Sequence, residues 1–299
     1  MMTVCAASAS PPPGFGTMVE DALGGRPGGA VAVRVSDGKV LALANPEVSC
    51  AQLHAPGSIF KLVSAFAALC EQCVGEDEVF RCGGRRSVSG RVLNCTVPNG
   101  HGSLRIRAAL AQSCNLTFYE LGLRLGADRL LRYAGLLGLN RACPGYEGKQ
   151  SVGTLPRGPV HPAGVARLAV GQADGLRITL LEAAEMVRRI VTADVEPTGV
   201  SPARVRSALA AVRAGMREAV TSGTCRAAEP DSVRVAGKTG STEARDDPAS
   251  RSAWFVGFAP YDRPEIVVVV FTKRGHGFDA AAPVASRIFS AYFAPGESR

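Results

Sequence analysis

The sequence predicts an α+β fold: a five-stranded antiparallel sheet flanked by helices, with a mainly helical lobe inserted between its strands. Two strand patterns stand near the start of the chain and three near its end, while the middle shows helical periodicity. The apolar faces of all these strands leave water most simply by joining one sheet. Short turns between the last strands favour antiparallel pairing.

Alternating or continuous apolar runs mark the strands. Valines alternate along residues 30–35, and an Asp-Gly turn at 37–38 leads into a second strand over 39–44, which together predict a hairpin. Near the other end, residues 233–236 lead towards Lys238, and residues 253–259 form the next strand. Residues 265–272 contain an unbroken apolar run typical of a strand buried on both faces.

The intervening residues predict helices. Residues 58–70 are apolar on almost every side, as in a buried helix. Three-to-four-residue periodicity predicts further helices over 177–191 and 201–220 and, with breaks, over 104–125 and 127–137. Pro283 is well placed to open a last helix.

One domain is expected to span residues 28–293, between a flexible leader and linker over 1–27 and a C-terminal tail over 294–299. The N-terminal residues lack the charged and apolar regions of a signal peptide. No apolar run approaches the roughly 18 residues of a membrane helix. The formal charge is +8, from 34 Lys and Arg against 26 Asp and Glu, but the basic residues are scattered without aromatic platforms, so nucleic acid is not expected as a partner.

The chain has nine cysteines, an odd number that leaves at least one thiol unpaired. Cys70 and Cys73 form a lone C-x-x-C without a second pair or a His at zinc spacing, so neither a metal site nor a cofactor is expected. Cys82 and Cys95 flank a Gly-rich segment with the pattern of a hairpin. They would pair across it in an oxidising compartment, a question that spacing leaves open.

Three short motifs, widely spaced, together indicate a site for acyl transfer. They are Ser58-Ile59-Phe60-Lys61, Ser113-Cys114-Asn115 and Lys238-Thr239-Gly240-Ser241. Ser58 is the predicted nucleophile, and Lys61, one helical turn on, is the predicted base. A lysine acts as a base only when neutral, and burial together with the charge of Lys238 would lower its pKa towards working pH.

The remaining motif residues suit proton transfer and substrate binding. The Ser113 hydroxyl is expected to pass a proton to the leaving amine, and the Asn115 amide to hold Lys61 and the substrate backbone. Lys238 would attract a substrate carboxylate, which Thr239 and the hydroxyl of Ser241 or Thr242 would bind.

Two further expectations concern the substrate's backbone and its reacting carbonyl. Gly240 leaves room for a substrate lying alongside as an added strand. The backbone N–H groups of Ser58 and Ser241 are the expected oxyanion hole.

On these motifs the chain resembles the transpeptidase domain of penicillin-binding proteins, within the β-lactamase/transpeptidase-like folds. The resemblance extends to residues 80–102, 108–122, Val170-Gly171-Gln172, residues 254–260 and residues 282–285, and covers roughly residues 28–293. It implies that Ser58 attacks D-Ala-D-Ala stem peptides of peptidoglycan, for transpeptidation or carboxypeptidation, and that β-lactams acylate it. It also implies an extracytoplasmic location and other cell-wall synthesis proteins as partners.

Two rival functions remain at this stage. A serine β-lactamase uses the same nucleophile and base, but class A enzymes add a Glu-x-x-Leu-Asn segment, and the nearest match, residues 135–140, lacks the Glu. The other rival is a β-lactam or muropeptide sensor or scaffold that is acylated without turnover. Retention of a fluorescent penicillin separates them.

Overall fold

The computed structural model describes residues 10–156, 161–242 and 251–294. Its main sheet is antiparallel and five-stranded, in the order β2-β1-β9-β8-β7. These strands are β1 (Gly28–Arg34), β2 (Val40–Ala44), β7 (Ala236–Thr242), β8 (Ser252–Ala259) and β9 (Ile266–Thr272). The predicted fold class is confirmed.

The mainly helical lobe is inserted between β2 and β7, as predicted. Its helices are α2 (Lys61–Cys70), α3 (Ile106–Ala111), α4 (Asn115–Leu125), α5 (Ala127–Leu136), α6 (Pro162–Ala169), α7 (Leu180–Thr192) and α8 (Pro202–Thr221). Two small antiparallel pairs lie beside them: β3 (Phe80–Cys82) with β6 (Gly102–Leu104), and β4 (Arg85–Val88) with β5 (Arg91–Asn94). The hairpin expected between Cys82 and Cys95 is thus β4–β5.

The N-terminal segment differs from the prediction. Residues 15–23, expected in a flexible leader, form helix α1 (Phe15–Leu23), which buries Phe15, Val19 and Leu23. With the C-terminal helix α9 (Ala282–Tyr292), it belongs to the apolar core on one side of the sheet. The apolar residues of α1 recur three to four positions apart, as on one face of a helix. The Pro and Gly residues around them led to the prediction of a flexible leader instead.

The sheet separates two apolar cores, and β9 contributes to both. Val267, Val269 and Phe271 belong to the core shared with the helical lobe. Val268 and Val270 belong to the core under α1 and α9. Successive strand residues point to opposite faces, which explains the unbroken apolar run of β9.

Two predicted helices are divided in the structure. Residues 102–104 form a strand, and Ser113, with φ of 56°, breaks the remainder into α3 and α4. The helix predicted over 58–70 begins as a 3₁₀ turn, Gly57–Phe60, before α2. Within the described ranges, no helix combines the length and apolar character needed to cross a membrane.

Candidate active site

A cleft of about 980 Å³ lies between the helical lobe and the β7 side of the sheet. The predicted site residues that line it are Ser58, Ser113, Asn115, Thr239, Gly240 and Ser241. Lys61 and Lys238 are fully buried and are not among the residues that line this cleft. The three motifs are therefore assembled at one place, with the two lysines withdrawn from water.

The Ser58 turn is clamped against β7 by close glycine contacts. Gly57 has φ of 52°, and a Cβ there would lie 2.8 Å from the Ser241 carbonyl oxygen. A Cβ on Gly240 would lie 3.1 Å from the Pro56 carbonyl oxygen. On the other side, Gly57 N–H donates to the Gly171 carbonyl at 3.1 Å. Glycine allows backbones to approach this closely, so these contacts of Gly57 and Gly240 fix the position of Ser58.

Lys61 reaches from the start of α2 into the second motif. Its Nζ donates to the Ser113 carbonyl at 2.7 Å and to the Asn115 Oδ1 at 2.6 Å. A third contact, at 3.1 Å, joins it to the Ser113 Oγ. The ring of Phe118 lies beneath the amine, with its centroid 5.6 Å from Nζ. The second motif thus orients the lysine through both of the side chains that the sequence singled out.

The environment favours a neutral Lys61. Burial lowers its pKa well below the ordinary value, and the charge of Lys238 lowers it further. Burial also lowers the pKa of Lys238, to about 8. The predicted coupling between the two lysines is therefore present.

A neutral amine suits the three contacts of Lys61. Its two N–H bonds can serve the Ser113 carbonyl and the Asn115 oxygen, which only accept. Its lone pair then faces the Ser113 hydroxyl, which both donates and accepts. Proton exchange between the Lys61 amine and the Ser113 hydroxyl needs no rearrangement of the other two bonds.

The second motif lies at the sharp turn between the end of α3 and the start of α4. Ser113 N–H donates to the Leu110 carbonyl at 3.2 Å, and Ser113 takes the left-handed backbone conformation. That conformation costs a residue other than glycine roughly 1–2 kcal/mol. Asn115 starts α4, and its Nδ2 donates to the Asn94 carbonyl at 3.2 Å. Asn115 therefore links Lys61 to the residue at the end of β5.

The third motif lies on β7, where alternate side chains face opposite sides. Thr239 and Ser241 line the cleft. Thr239 Oγ1 is hydrogen-bonded to Thr224 Oγ1 at 2.6 Å, and Ser241 Oγ accepts from Gly277 N–H at 3.2 Å. Thr242 is not among the residues that line the cleft. Its hydroxyl is hydrogen-bonded to Ser252, its partner in the pairing of β7 with β8.

Lys238 stands on the same face of β7 as Gly240, the face towards the Ser58 turn, and is fully buried there. Its Nζ donates to the Thr239 carbonyl at 2.8 Å. In this arrangement its ammonium acts on the cleft as a nearby buried charge rather than as an exposed group.

The free edge of β7 forms part of the site. Among the strands described, β7 pairs only with β8, so its other edge carries unpaired backbone groups. Sequence reasoning missed several polar residues that line the cleft from separate loops and helices: Arg167, Gln112, Thr224, Arg251 and His276. They form no local motif, so only the fold brings them together.

Cysteines also meet at this site. Cys82 and Cys95, whose pairing the sequence left open, are free thiols in the structure. The Cys95 thiol donates to the Cys114 sulfur, 4.0 Å away.

Comparison with known proteins identifies the family. The family model described as the penicillin binding protein transpeptidase domain matches residues 28–290. The chain belongs to this family.

Among curated relatives, stage V sporulation protein D of Bacillus subtilis (strain 168) is 28% identical over 268 residues, covering 79% of this chain and 41% of the relative. Peptidoglycan D,D-transpeptidase PbpA of Mycobacterium tuberculosis is 25% identical over 348 residues, covering 93% of this chain and 69% of the relative. The chain thus spans less than half of the first relative's length.

Solved structures share the fold. The D,D-transpeptidase domain of a peptidoglycan glycosyltransferase from Eggerthella lenta has a TM-score of 0.78 at 25% identity, covering 93% of this chain and 80% of that one. PBP2 of Pseudomonas aeruginosa has a TM-score of 0.83 at 23% identity, covering 95% and 78%.

Proposed function

We propose that the protein is a serine D,D-transpeptidase that acts on the D-Ala-D-Ala ends of peptidoglycan stem peptides through an acyl-enzyme on Ser58. The observation that carries this proposal is the fully buried Lys61, which is held by Ser113 and Asn115, two residues that line the same cleft as Ser58. Membership of the transpeptidase family supports it. Family relatives named peptidoglycan D,D-transpeptidase support the substrate class.

Acylation begins when neutral Lys61 removes the Ser58 proton. The Ser58 oxygen attacks the carbonyl carbon between the two D-Ala residues, and the carbonyl oxygen takes the negative charge. The backbone N–H groups of Ser58 and Ser241 stabilise this oxyanion. The carbon–nitrogen bond then breaks, and the terminal D-Ala amine leaves with a proton that Ser113 passes from Lys61.

The acyl group is then transferred. An amine of a neighbouring stem, or water, attacks the Ser58 ester and gives a proton back through the same relay. The Ser58 hydroxyl is regenerated, so each cycle breaks one amide bond and forms one amide or one carboxylic acid.

Substrate binding uses the β7 edge. The peptide adds to β7 as a strand, which gives its backbone hydrogen-bond partners. The missing side chain of Gly240 makes room for the Ser58 turn rather than for the substrate, because a Cβ there would lie 3.1 Å from Ile59 Cγ2 and from the Pro56 carbonyl oxygen. Thr239 and Ser241 bind the terminal carboxylate, and the buried charge of Lys238 attracts it. β-Lactams, which carry a carboxylate and a strained amide, acylate Ser58 as mimics. We place this reaction outside the cytoplasm, where peptidoglycan is cross-linked, alongside other cell-wall synthesis proteins.

The first prediction tests the acyl-enzyme. The protein incubated with a fluorescent penicillin becomes covalently labelled and keeps the label after denaturation. Ser58→Ala removes the attacking oxygen and abolishes labelling. Ser207→Ala, on the exposed side of α8, leaves labelling unchanged. Gel fluorescence measures all three.

The lifetime of the label then separates the alternatives. A stable adduct together with release of D-Ala from a D-Ala-D-Ala peptide supports the transpeptidase. A stable adduct without peptide turnover indicates a sensor or scaffold, and rapid loss of label indicates a β-lactamase. Absence of any adduct on the folded protein would contradict the acyl-enzyme itself.

A further inference from the structure

Four metal-ligand side chains meet beside the second motif. The sulfur atoms of Cys82, Cys95 and Cys114 and a ring nitrogen of His101 all lie within 4.8 Å of one another. The His101 Nδ1 is 3.6 Å from the Cys82 Sγ and 3.4 Å from the Cys95 Sγ, and the sulfurs of Cys95 and Cys114 are 4.0 Å apart. A tetrahedral zinc ion, with bonds of about 2.3 Å to sulfur and 2.0 Å to nitrogen, sets its ligand atoms roughly 3.5–3.8 Å apart. The cluster is close to that spacing.

The donor set is typical of structural zinc. Three thiols and one imidazole are soft and borderline ligands that favour zinc over magnesium or calcium. Four protein ligands fill a tetrahedral shell and leave no open position for water, as in structural rather than catalytic sites. We therefore assign no hydrolytic role to the cluster.

The local fold brings the ligands together from separate segments. Cys82 ends β3, Cys95 follows β5, His101 precedes β6 and Cys114 precedes α4. Two glycines allow the loops to close: a Cβ on Gly84 would lie 1.9 Å from the Pro98 carbonyl oxygen, and a Cβ on Gly100 would lie 2.0 Å from that of Cys82. Both have positive φ.

Hydrogen bonds also surround the sulfurs. The three cysteines are buried. The Thr117 hydroxyl donates to the Cys114 sulfur at 3.4 Å. Such bonds from neighbouring groups orient metal-binding thiolates and compensate their charge.

A metal here would supply stability that the β4–β5 hairpin lacks. Within β4–β5, Val88 is buried, while most of the hairpin's other residues are exposed. An isolated two-stranded hairpin is marginally stable in water. Yet this one lines the cleft through Val92 and Asn94, and the Asn94 carbonyl accepts from Asn115.

We propose that Cys82, Cys95, His101 and Cys114 bind one structural Zn²⁺, which fastens the β4–β5 hairpin to the α3–α4 loop and holds Ser113 and Asn115 in place. On binding, each thiol releases its proton to solvent and its sulfur donates an electron pair to the metal, without oxidation or reduction. The four side chains are positioning residues, because none of them reacts with substrate.

The first experiment measures the metal content of the purified protein. The full chain, purified under reducing conditions with zinc supplied, is expected to hold one zinc ion by elemental analysis. Titration of the metal-free chain with Co²⁺ is expected to give the intense visible bands of a tetrahedral site and the ultraviolet thiolate-to-metal band. Neither readout depends on the proposed enzymatic function.

Variants assign the ligands. Cys82→Ser and His101→Gln, both outside the catalytic motif, are expected to weaken zinc binding about tenfold or more and to lose the Co²⁺ bands. Cys73→Ser, which removes a half-buried thiol outside the cluster, retains both. Chelation of the wild-type zinc slows labelling by penicillin, and Zn²⁺ restores the rate while Mg²⁺ does not.

Several results would overturn the proposal. One is a wild-type chain that, fully reduced and folded, binds neither zinc nor Co²⁺. Another is equal metal content in the wild type and in both ligand variants. A third is a Cys95–Cys114 disulfide, seen as the loss of two hydrogens in the intact mass, which reductant reverses and chelator does not affect.

Discussion

At the scale of single residues, the candidate site contains two buried lysines that have different contacts and different proposed roles. Lys61 contacts Ser113 and Asn115, whereas Lys238 donates to its neighbour's carbonyl and acts at a distance. Their mutual repulsion favours the state in which Lys61 has lost its proton. In the proposed mechanism, the Lys238 charge therefore helps Lys61 to act as the base.

This coupling predicts a pH effect for Lys238→Met. Acylation requires neutral Lys61, so its rate rises with pH through the Lys61 pKa. Removing the neighbouring positive charge raises that pKa, and the rising limb moves to higher pH by about one unit or more. The rate of labelling at saturating penicillin, measured across pH, checks the shift.

Lys149→Met is the matched control, because it removes an exposed charge. Its profile is expected to follow the wild type. A Lys238→Met profile with an unchanged rising limb would show that Lys238 does not tune the base.

Most of the predicted residues do meet at the cleft, because short sequence motifs indicate which side chains act together. The prediction for Thr242 had no such support, because its hydroxyl is engaged by Ser252, a contact that only the pairing of β7 with β8 creates. The four clustered metal ligands also escaped notice. Cys114 lies inside the second motif, but His101 and its other partners are distant in sequence, and a tertiary contact unites them.

At the scale of elements, the positions of Ser58 and β7 depend on glycines in the segments that flank them. Gly171 has φ of 73°, and a Cβ there would lie 2.0 Å from the Gly57 carbonyl oxygen. Gly171→Ala is therefore expected to displace the Ser58 turn and to slow acylation about 100-fold. Labelling kinetics measure the loss.

Gly175→Ala is its matched control. Gly175 has a similar φ, 79°, but the nearest atom to its Cβ would be 3.9 Å away. The Gly175→Ala variant therefore has the backbone strain of a positive φ, roughly 1–2 kcal/mol, without a steric clash. We expect reduced stability and a near-normal labelling rate, and equal slowing in both variants would exclude the clash as the cause.

Element types were predicted well where periodicity was long, and boundaries less well. The break at Ser113 occurs where α3 ends. The 3₁₀ turn that contains Ser58 is held by the contacts of Gly57 with Gly171 and β7. Neither constraint is local, so the pattern of apolar residues indicated breaks within residues 104–125 without placing them, and it gave no sign of the 3₁₀ turn at Ser58.

At the scale of the whole molecule, the side of the sheet away from the helical lobe needs its N-terminal helix. Phe15 is buried and makes an edge contact with Tyr292 of α9, with centroids 5.4 Å apart. Phe15→Ala is expected to lower the free energy of unfolding by about 3 kcal/mol or more. Met18→Ala, on the exposed side of the same helix, should change it by less than about 0.5 kcal/mol.

Chemical denaturation monitored by circular dichroism measures both changes. A Phe15→Ala chain as stable as Met18→Ala would indicate that α1 adds little to the core beneath it. The candidate cleft lies at the β7 edge of the sheet, and α1 contributes no residue to its lining, so penicillin labelling by the folded Phe15→Ala fraction should be normal.

The pairing of β1 with β9 has a consequence for the protein's biosynthesis. Gly28 lies opposite Thr272 in that ladder, so β1 leaves the ribosome well before the strand it pairs with. Ser58 likewise precedes β7, which completes its surroundings, and β9, which joins β1 to the rest of the sheet. A nascent chain that does not yet include these strands is therefore expected to carry the proposed nucleophile in an inert form, unable to react with a substrate or a penicillin.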